Sequence, residues 1–231
     1  MSISKIQNIQ GLRGVAALLV VFTHMLVVEV KYAEFEYILP NLFKIGSSGV
    51  DLFFVISGFI MVAVTRNSFQ SKEKILHFLY HRITRIYPLY WLYSTLALAV
   101  FLLQPDWINN GSGNQVNIIE SFLLAPQNIT PLLPVGWTLI HEMYFYLVFT
   151  ILLITSKNTT FLSIGLIFWT LVIIMGNTYL SSVDNPYSTV YFSPLTLEFI
   201  AGCFVAILYY NRPIQGNAGI YILIASSIWI G

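Results

Sequence analysis

The chain has 231 residues, of which 57% are hydrophobic and 9% are charged, a composition that excludes an ordinary water-soluble domain and indicates a polytopic membrane protein. It carries 11 basic and 10 acidic residues, a formal net charge of +1, and no basic run, so no nucleic-acid partner is expected. The single cysteine, Cys203, excludes a disulfide framework and a cysteine-based metal site.

Apolar runs long enough to cross a hydrocarbon core of about 30 Å recur along the chain. We predict an all-α transmembrane bundle with six full spans and a truncated seventh, forming one membrane domain over residues 1–231. The six spans are placed at 12–30, 49–65, 87–103, 137–155, 160–180 and 191–210, and the shorter run extends from 218 to the end. The segment 105–136 is expected to lie on the outer surface or to re-enter the membrane.

The distribution of lysine and arginine predicts the orientation of these spans. With the amino terminus in the cytoplasm, 9 of the 11 basic residues fall on the cytoplasmic side, and only Lys31 and Lys44 fall outside. We therefore expect a multi-pass protein with a cytoplasmic amino terminus.

The first span carries two ionisable side chains, Arg13 and His24, at positions 11 residues apart. At about 100° per residue both leave one stripe of a helix, separated by about 16 Å along its axis. Ionisable groups inside a bilayer are costly and by default indicate a functional site. Arg13 alone is also explained as a cytoplasmic anchor, and His24 alone as a hydrogen-bonding residue between helices. Their shared stripe favours a functional site.

Two carboxylates and several glycines mark the second and sixth spans. Asp51 opens the second span, where capping by the helix dipole is the structural alternative to a functional role. Glu198 lies within the sixth span, where internal pairing is the alternative. Gly49 and Gly58 predict close packing of the second helix on the first, and Gly202 predicts another close helix contact.

Arg82 and Arg85 end the predicted cytoplasmic loop, three positions apart on what would be one helical face. Positive-inside charge explains them without a function, but guanidinium groups also suit bidentate phosphate binding. Arg13 is expected on the same membrane face, so the three arginines also indicate an anion site. His77 and His81 are expected to be solvated residues of the same loop.

Glu142 lies about a turn and a half inside the fourth span, where a carboxylate needs a partner, either a structural arginine or a functional histidine. His141 followed by Glu142 begins a zinc-protease motif, but position 145 is Phe145 and the second histidine is missing. We therefore expect no metal site.

Five stretches together resemble membrane acyltransferase family 3, especially its exopolysaccharide-acetylating branch. They are GLRGVAALLVVFTH, GVDLFFVISGFIM, RITRIYPLYW, GWTLIHEMYFY and LEFIAG, within residues 11–202. The resemblance implies a multi-pass enzyme of the inner membrane that moves an acyl group, usually acetyl, from cytosolic acyl-CoA to a sugar hydroxyl. The family has more helices than this sequence, so we expect a truncated chain.

The resemblance also implies roles for individual residues. The family's first-helix arginine and histidine fall on Arg13 and His24, its Arg-x-x-Arg pair on Arg82 and Arg85, and its fourth-helix glutamate on Glu142; Asp51 and Glu198 fall on supporting polar positions.

In the expected mechanism acyl-CoA is the donor substrate and no cofactor remains bound. Its phosphates lie near the three arginines, and its pantetheine arm is comparable to the roughly 16 Å between Arg13 and His24. His24 acts as a general base on the sugar hydroxyl or attacks the thioester itself, and Glu142 orients the ring. Besides the lipid bilayer, the expected partners are acyl-CoA and a saccharide acceptor.

Two other classes explain the buried charges. A proton-coupled transporter would use His24, Glu142 and Glu198 as a pathway, although the sequence lacks the paired broken helices of inverted repeats. A non-catalytic membrane component of polysaccharide export would need no acyl-CoA. Binding of acyl-CoA distinguishes the acyltransferase from both.

Overall fold

The computed structural model describes residues 7–32, 45–108, 115–180 and 185–211, which are helical and contain no strand. The predicted run from residue 218 lies outside these described residues. The helices are α1 (Gln7–Tyr32), α2 (Ser48–Thr65), α3 (Lys72–Leu103), α4 (Ile118–Leu123), α5 (Gly136–Thr155), α6 (Thr159–Leu180), α7 (Pro186–Tyr191) and α8 (Leu195–Asn211).

Six helical stretches are long and apolar enough to cross a membrane, which confirms the prediction of an all-α bundle with six spans. They are Ile9–Tyr32, Ile45–Thr65, Lys72–Leu103, Gly136–Thr155, Thr159–Leu180 and Pro186–Asn211. The protein is therefore a multi-pass membrane protein.

The third span begins earlier than predicted, and the expectation of a loop over residues 66–86 is wrong. α3 starts at Lys72 and buries Ile75 and Phe78, while its first charged residues are exposed, so the stretch is an amphipathic helix continuous with the span. Pro88 lies inside this helix, as membrane helices tolerate. With 32 residues, α3 is about 48 Å long and exceeds the thickness of the hydrocarbon core.

The chain divides into two compact units. The first consists of residues 1–64 and 197–231, and its described part holds α1, α2 and nearly all of α8. The second consists of residues 65–196 and holds α3 to α7.

Glycines bring the backbones of the first unit together. A Cβ atom on Gly49 would lie 2.7 Å from the Ala16 carbonyl oxygen, so α2 packs closely on α1 as predicted. Gly58, by contrast, faces α8, because a Cβ there would collide with the carbonyl of Phe199. A Cβ on Gly202 would collide with the Val55 carbonyl, so the contact between α2 and α8 is reciprocal and leaves no room for side chains.

In the second unit α5 packs against both α3 and α6. The rings of Phe78 and Phe149 are 6.3 Å apart, and the Tyr90 hydroxyl lies beside Gly136, so α3 and α5 run antiparallel. On its other side α5 contacts α6, where the rings of Phe145 and Trp169 are 5.2 Å apart. These contacts place the middle of α3 beside the first half of α5.

The short helix α4 is held against the middle of α3. Its last residues present backbone carbonyls that no helical N–H can reach. Side chains of α3 donate to them: Tyr90 to Ser121 at 2.7 Å, Tyr87 to Leu123 at 3.0 Å and Trp91 to Phe122 at 3.0 Å. The segment after the third span therefore returns along the side of that helix instead of continuing past its end.

Candidate functional site

The second unit gathers three of the predicted site residues around one tyrosine. The hydroxyl of Tyr146 donates a hydrogen bond to Oε1 of Glu142, one turn earlier on α5. The guanidinium of Arg82 lies over the Tyr146 ring, 5.6 Å from its centroid, and over the Phe78 ring at 5.3 Å. Arg85 is close enough to interact electrostatically with the Tyr146 hydroxyl. The two arginines and the glutamate therefore share a neighbourhood inside the helix pair.

This arrangement corrects the predicted position of the arginine pair. Arg82 and Arg85 do not end a loop; they lie within α3, where Arg82 is half-buried against α5 and Arg85 is exposed. A half-buried guanidinium is stabilised here by two aromatic faces, a contact that arginine makes better than lysine. The two arginines lie three positions apart on one helix, as expected. Their position inside that helix, and not at the end of a loop, was not predicted.

Tyr146 is the functional candidate that the sequence analysis missed. It is 2% exposed, and its hydroxyl supplies the hydrogen bond that the Glu142 carboxylate needs inside the helix pair. In the sequence it lies among aromatic residues, MYFY, that read as ordinary membrane-facing side chains. The available signal was its spacing, four residues after a carboxylate that lacked a partner.

In the first unit Arg13 and His24 lie on the single helix α1, as predicted. The face of α1 that packs on the start of α2 and on the turn before it includes Ala16, Leu19, Val20 and Thr23. At about 100° per residue, the stripe of Arg13 and His24 lies about a quarter turn from that face. Arg13 is half-buried and His24 is exposed.

The hydrogen bond of His24 determines which ring nitrogen is basic. Nδ1 lies 2.8 Å from the Val20 carbonyl oxygen, which only accepts, so Nδ1 carries the proton in the neutral ring. Nε2 then holds the free lone pair. The described residues around the ring form an open recess on α1, lined by Val20, Val21, His24, Met25, Val28 and Glu29.

Asp51 and Glu198 form a carboxyl pair in the first unit. Asp51 is in the first turn of α2 and Glu198 in the first turn of α8, and their side chains are joined by a hydrogen bond. Glu198 is 3% exposed, and its Oε2 has no hydrogen-bond partner in the described structure. Two carboxyl groups can hydrogen-bond to each other only when one of them carries a proton. This geometry matches the internal pairing considered for Glu198.

Together these features define a class: a multi-pass helical membrane protein with a basic histidine on its first helix and an arginine–glutamate cluster within a later helix pair. An acyltransferase domain model matches residues 6–231. The chain belongs to this acyltransferase family, which confirms the resemblance seen in the sequence.

Three curated relatives agree with this assignment. The chain is 35% identical over 172 residues to the exopolysaccharide production protein ExoZ of Rhizobium meliloti (strain 1021), covering 71% of this chain and 51% of that protein. It is 32% identical over 197 residues to the putative acetyltransferase ORF330 of Acidianus two-tailed virus, covering 81% and 52%. It is 27% identical over 154 residues to acyltransferase MdmB of Streptomyces mycarofaciens, covering 63% and 38%.

The matches cover about half or less of each relative, so the chain corresponds to only part of their length. No solved structure matches the chain.

Proposed function

We propose that the protein is a membrane O-acyltransferase that moves an acyl group, by preference acetyl, from acyl-CoA to a hydroxyl of a saccharide. Membership of the acyltransferase family supports the reaction class, and the exopolysaccharide and acetyltransferase names of two relatives support the acceptor and the acyl group. The bias of lysine and arginine supports an inner-membrane protein with a cytoplasmic amino terminus, which takes its donor from the cytosol and acylates an extracytoplasmic or lipid-linked acceptor.

The observation that carries the proposal is the hydrogen bond between Nδ1 of His24 and the Val20 carbonyl. It fixes the neutral tautomer so that Nε2 is the basic nitrogen, and the side chain is exposed on α1. A general base needs an accessible lone pair in a fixed orientation, and an imidazole with this tautomer provides it. In hydrolase triads a carboxylate performs the orienting role that the backbone carbonyl performs here.

The proposed reaction transfers one acyl group without net change in protons. Nε2 of His24 removes the proton from the acceptor hydroxyl while the hydroxyl oxygen attacks the thioester carbonyl. The carbon–sulfur bond breaks, and the departing thiolate takes the proton from the imidazolium. Alternatively, Nε2 attacks the thioester first, the carbon–sulfur bond breaks and the CoA thiolate departs. The hydroxyl oxygen then attacks the acyl-imidazole, the carbon–nitrogen bond breaks to release Nε2, and the hydroxyl proton goes to the thiolate.

We propose that Arg82 and Arg85 of the second unit bind phosphate oxygens of the donor, because guanidinium groups match phosphate geometry. Arg13 of the first unit is proposed, by itself, as a further donor-binding residue. The aromatic faces around Arg82 support this role, since they hold the side chain without neutralising its charge. Glu142 and Tyr146 are proposed to fix the electrostatic environment of the arginine pair, and Asp51 and Glu198 to support the packing of α2 and α8. The predicted role of Glu142 in orienting the His24 ring stays a prediction.

The test compares His24→Ala and His24→Gln with the unsubstituted full-length protein in isolated membranes. Labelled acetyl-CoA is supplied, and label transferred to polysaccharide is measured alongside the amount of protein. Both variants should lose transfer while keeping normal membrane levels and acyl-CoA binding. Arg13→Lys should instead raise the acyl-CoA concentration needed for half-maximal transfer.

Rapid detergent denaturation at neutral pH without acceptor separates the two chemical routes, because an acyl-imidazole retains label on the protein and the direct route does not. Undiminished transfer by His24→Ala at normal protein levels would rule out the histidine. Absence of acyl-CoA binding by the unsubstituted protein would overturn the proposed function itself.

A further inference from the structure

Two exposed histidines of α3 have their ring nitrogens directed at each other. His77 and His81 are separated by one helical turn, and their Nε2 atoms are 2.9 Å apart. Their rings meet edge to face, with centroids 4.2 Å apart and an interplanar angle of 88°. They were expected in a solvated loop; the structure confirms their exposure and places them on a helix, which fixes their separation.

We propose that His77 and His81 bind a first-row divalent transition metal ion, with Cu²⁺ favoured. Imidazole nitrogens bind such ions at about 2.0–2.1 Å, and two bonds of that length meeting at a right angle place the nitrogens about 2.9 Å apart. This is the separation that the structure gives, and right-angled nitrogen ligands are typical of Cu²⁺ and Ni²⁺. Copper also leads the affinity order of divalent ions for nitrogen sites.

The helix holds the two histidines one turn apart, so their Nε2 atoms can bind the same ion. In the neutral pair the Nε2–H of one ring donates to the Nε2 lone pair of the other, so the first ring is the Nε2–H tautomer and the second is the Nδ1–H tautomer. When the first ring moves its proton to Nδ1, both Nε2 lone pairs are free to bind one metal ion, and no proton is lost. The described residues contain no group of three or more potential metal-binding side chains, so the two imidazoles are the protein ligands and water completes the coordination.

The remaining histidines provide a natural control. The chain has four, and Nδ1 of His141 lies 2.8 Å from the Trp137 carbonyl oxygen of its own helix. His141 lies on another helix and is not part of the pair, so its replacement should not affect binding of the ion. Binding at the pair is independent of the proposed acyl transfer, because neither His77 nor His81 has a role in that reaction.

The full-length protein is purified in detergent through a tag that contains no histidine, and CuCl₂ or NiCl₂ is titrated calorimetrically. One ion should bind per chain. His77→Gln and His81→Gln should each abolish this binding, and His141→Gln should leave it unchanged. Because positions 77 and 81 are exposed, all variants should retain the elution profile of the unsubstituted protein.

Electron paramagnetic resonance of the copper-loaded protein gives a second readout, since two coordinated nitrogens split the signal. That splitting should be present in the unsubstituted protein and in His141→Gln, and should be lost in both variants of the pair. Equal copper binding by His77→Gln, or loss of binding in His141→Gln, would overturn the proposal.

Discussion

Replacing Tyr146 by phenylalanine removes one oxygen atom from the cluster on α3 and α5 and leaves the packing of the ring intact. The lost hydroxyl donates to Glu142 from a side chain that is 2% exposed, so water cannot easily replace it. A hydrogen bond to a charged group contributes about 1.5–3 kcal/mol. If the whole contribution serves donor binding by the arginine pair, Tyr146→Phe should raise the KM for acyl-CoA and lower the transfer rate at subsaturating acyl-CoA by about 10- to 150-fold.

The assay is acyl transfer by membranes that contain equal amounts of each protein, with kcat and KM determined separately. Tyr144→Phe is the matched control, because Tyr144 lies on the same helix and donates to the neutral Tyr191 carbonyl, 3.3 Å away. It should change the stability by about 1 kcal/mol and leave transfer nearly unchanged. Equal transfer rates for Tyr146→Phe and the unsubstituted protein would refute the role of the hydroxyl. Equal losses of rate in Tyr146→Phe and Tyr144→Phe would show that the effect arises from packing and not from the hydrogen bond to Glu142.

Two further predictions concern the contact between α2 and α8. Gly58→Ala should greatly reduce the yield of folded protein in detergent, because its Cβ would collide with the Phe199 carbonyl, whereas Gly11→Ala, with nothing within 4 Å of its Cβ, should be tolerated. Equal yields would contradict the close approach. Glu198→Gln should preserve a hydrogen bond to Asp51 and unfold in denaturing detergent like the unsubstituted protein. Glu198→Ala should lose about 1–3 kcal/mol of stability. Equal losses of stability in the two variants would contradict the pairing.

Hydropathy was sufficient to place the spans, because the length of an apolar run reflects the thickness of the bilayer. It failed at the start of α3, where charged residues lie on one side of a helix whose other side buries Ile75 and Phe78. Hydropathy averaged over a window combines the polar and the apolar side of this helix, so the stretch resembles a loop. Pro88 lay inside the predicted span and lies inside α3, as a membrane helix can contain a proline where other groups satisfy the freed carbonyl.

The sequence indicated which residues are candidates for the site, but not which side chains they contact. Glu142 attracted attention because charge is costly in a membrane, and Arg82 because guanidinium groups suit phosphate; both properties can be read from one residue at a time. The partner of a residue depends on how far one helix is displaced along the next. The contact between Arg82 and Tyr146 follows from the register of α3 and α5, and their aromatic sequences would accept several registers.

The pairing of Glu198 illustrates the same limit and also provides a test of the span count. Asp51 contacts Glu198, Gly58 packs beside Phe199 further along, and Phe59 meets Tyr209 with ring centroids 5.8 Å apart. From one contact to the next the residue numbers increase on both α2 and α8, so the two helices run parallel.

Neighbouring membrane helices that run parallel must be separated by an odd number of crossings. The described residues between α2 and α8 contain three, α3, α5 and α6. The undescribed gaps there, 109–114 and 181–184, are far shorter than the roughly 20 residues that another crossing would need. The two carboxyls consequently lie at the same end of their helices, where two helix amino termini stabilise the single negative charge that remains when the pair holds one proton. That is a physical reason for a pair of acids to persist inside a membrane protein.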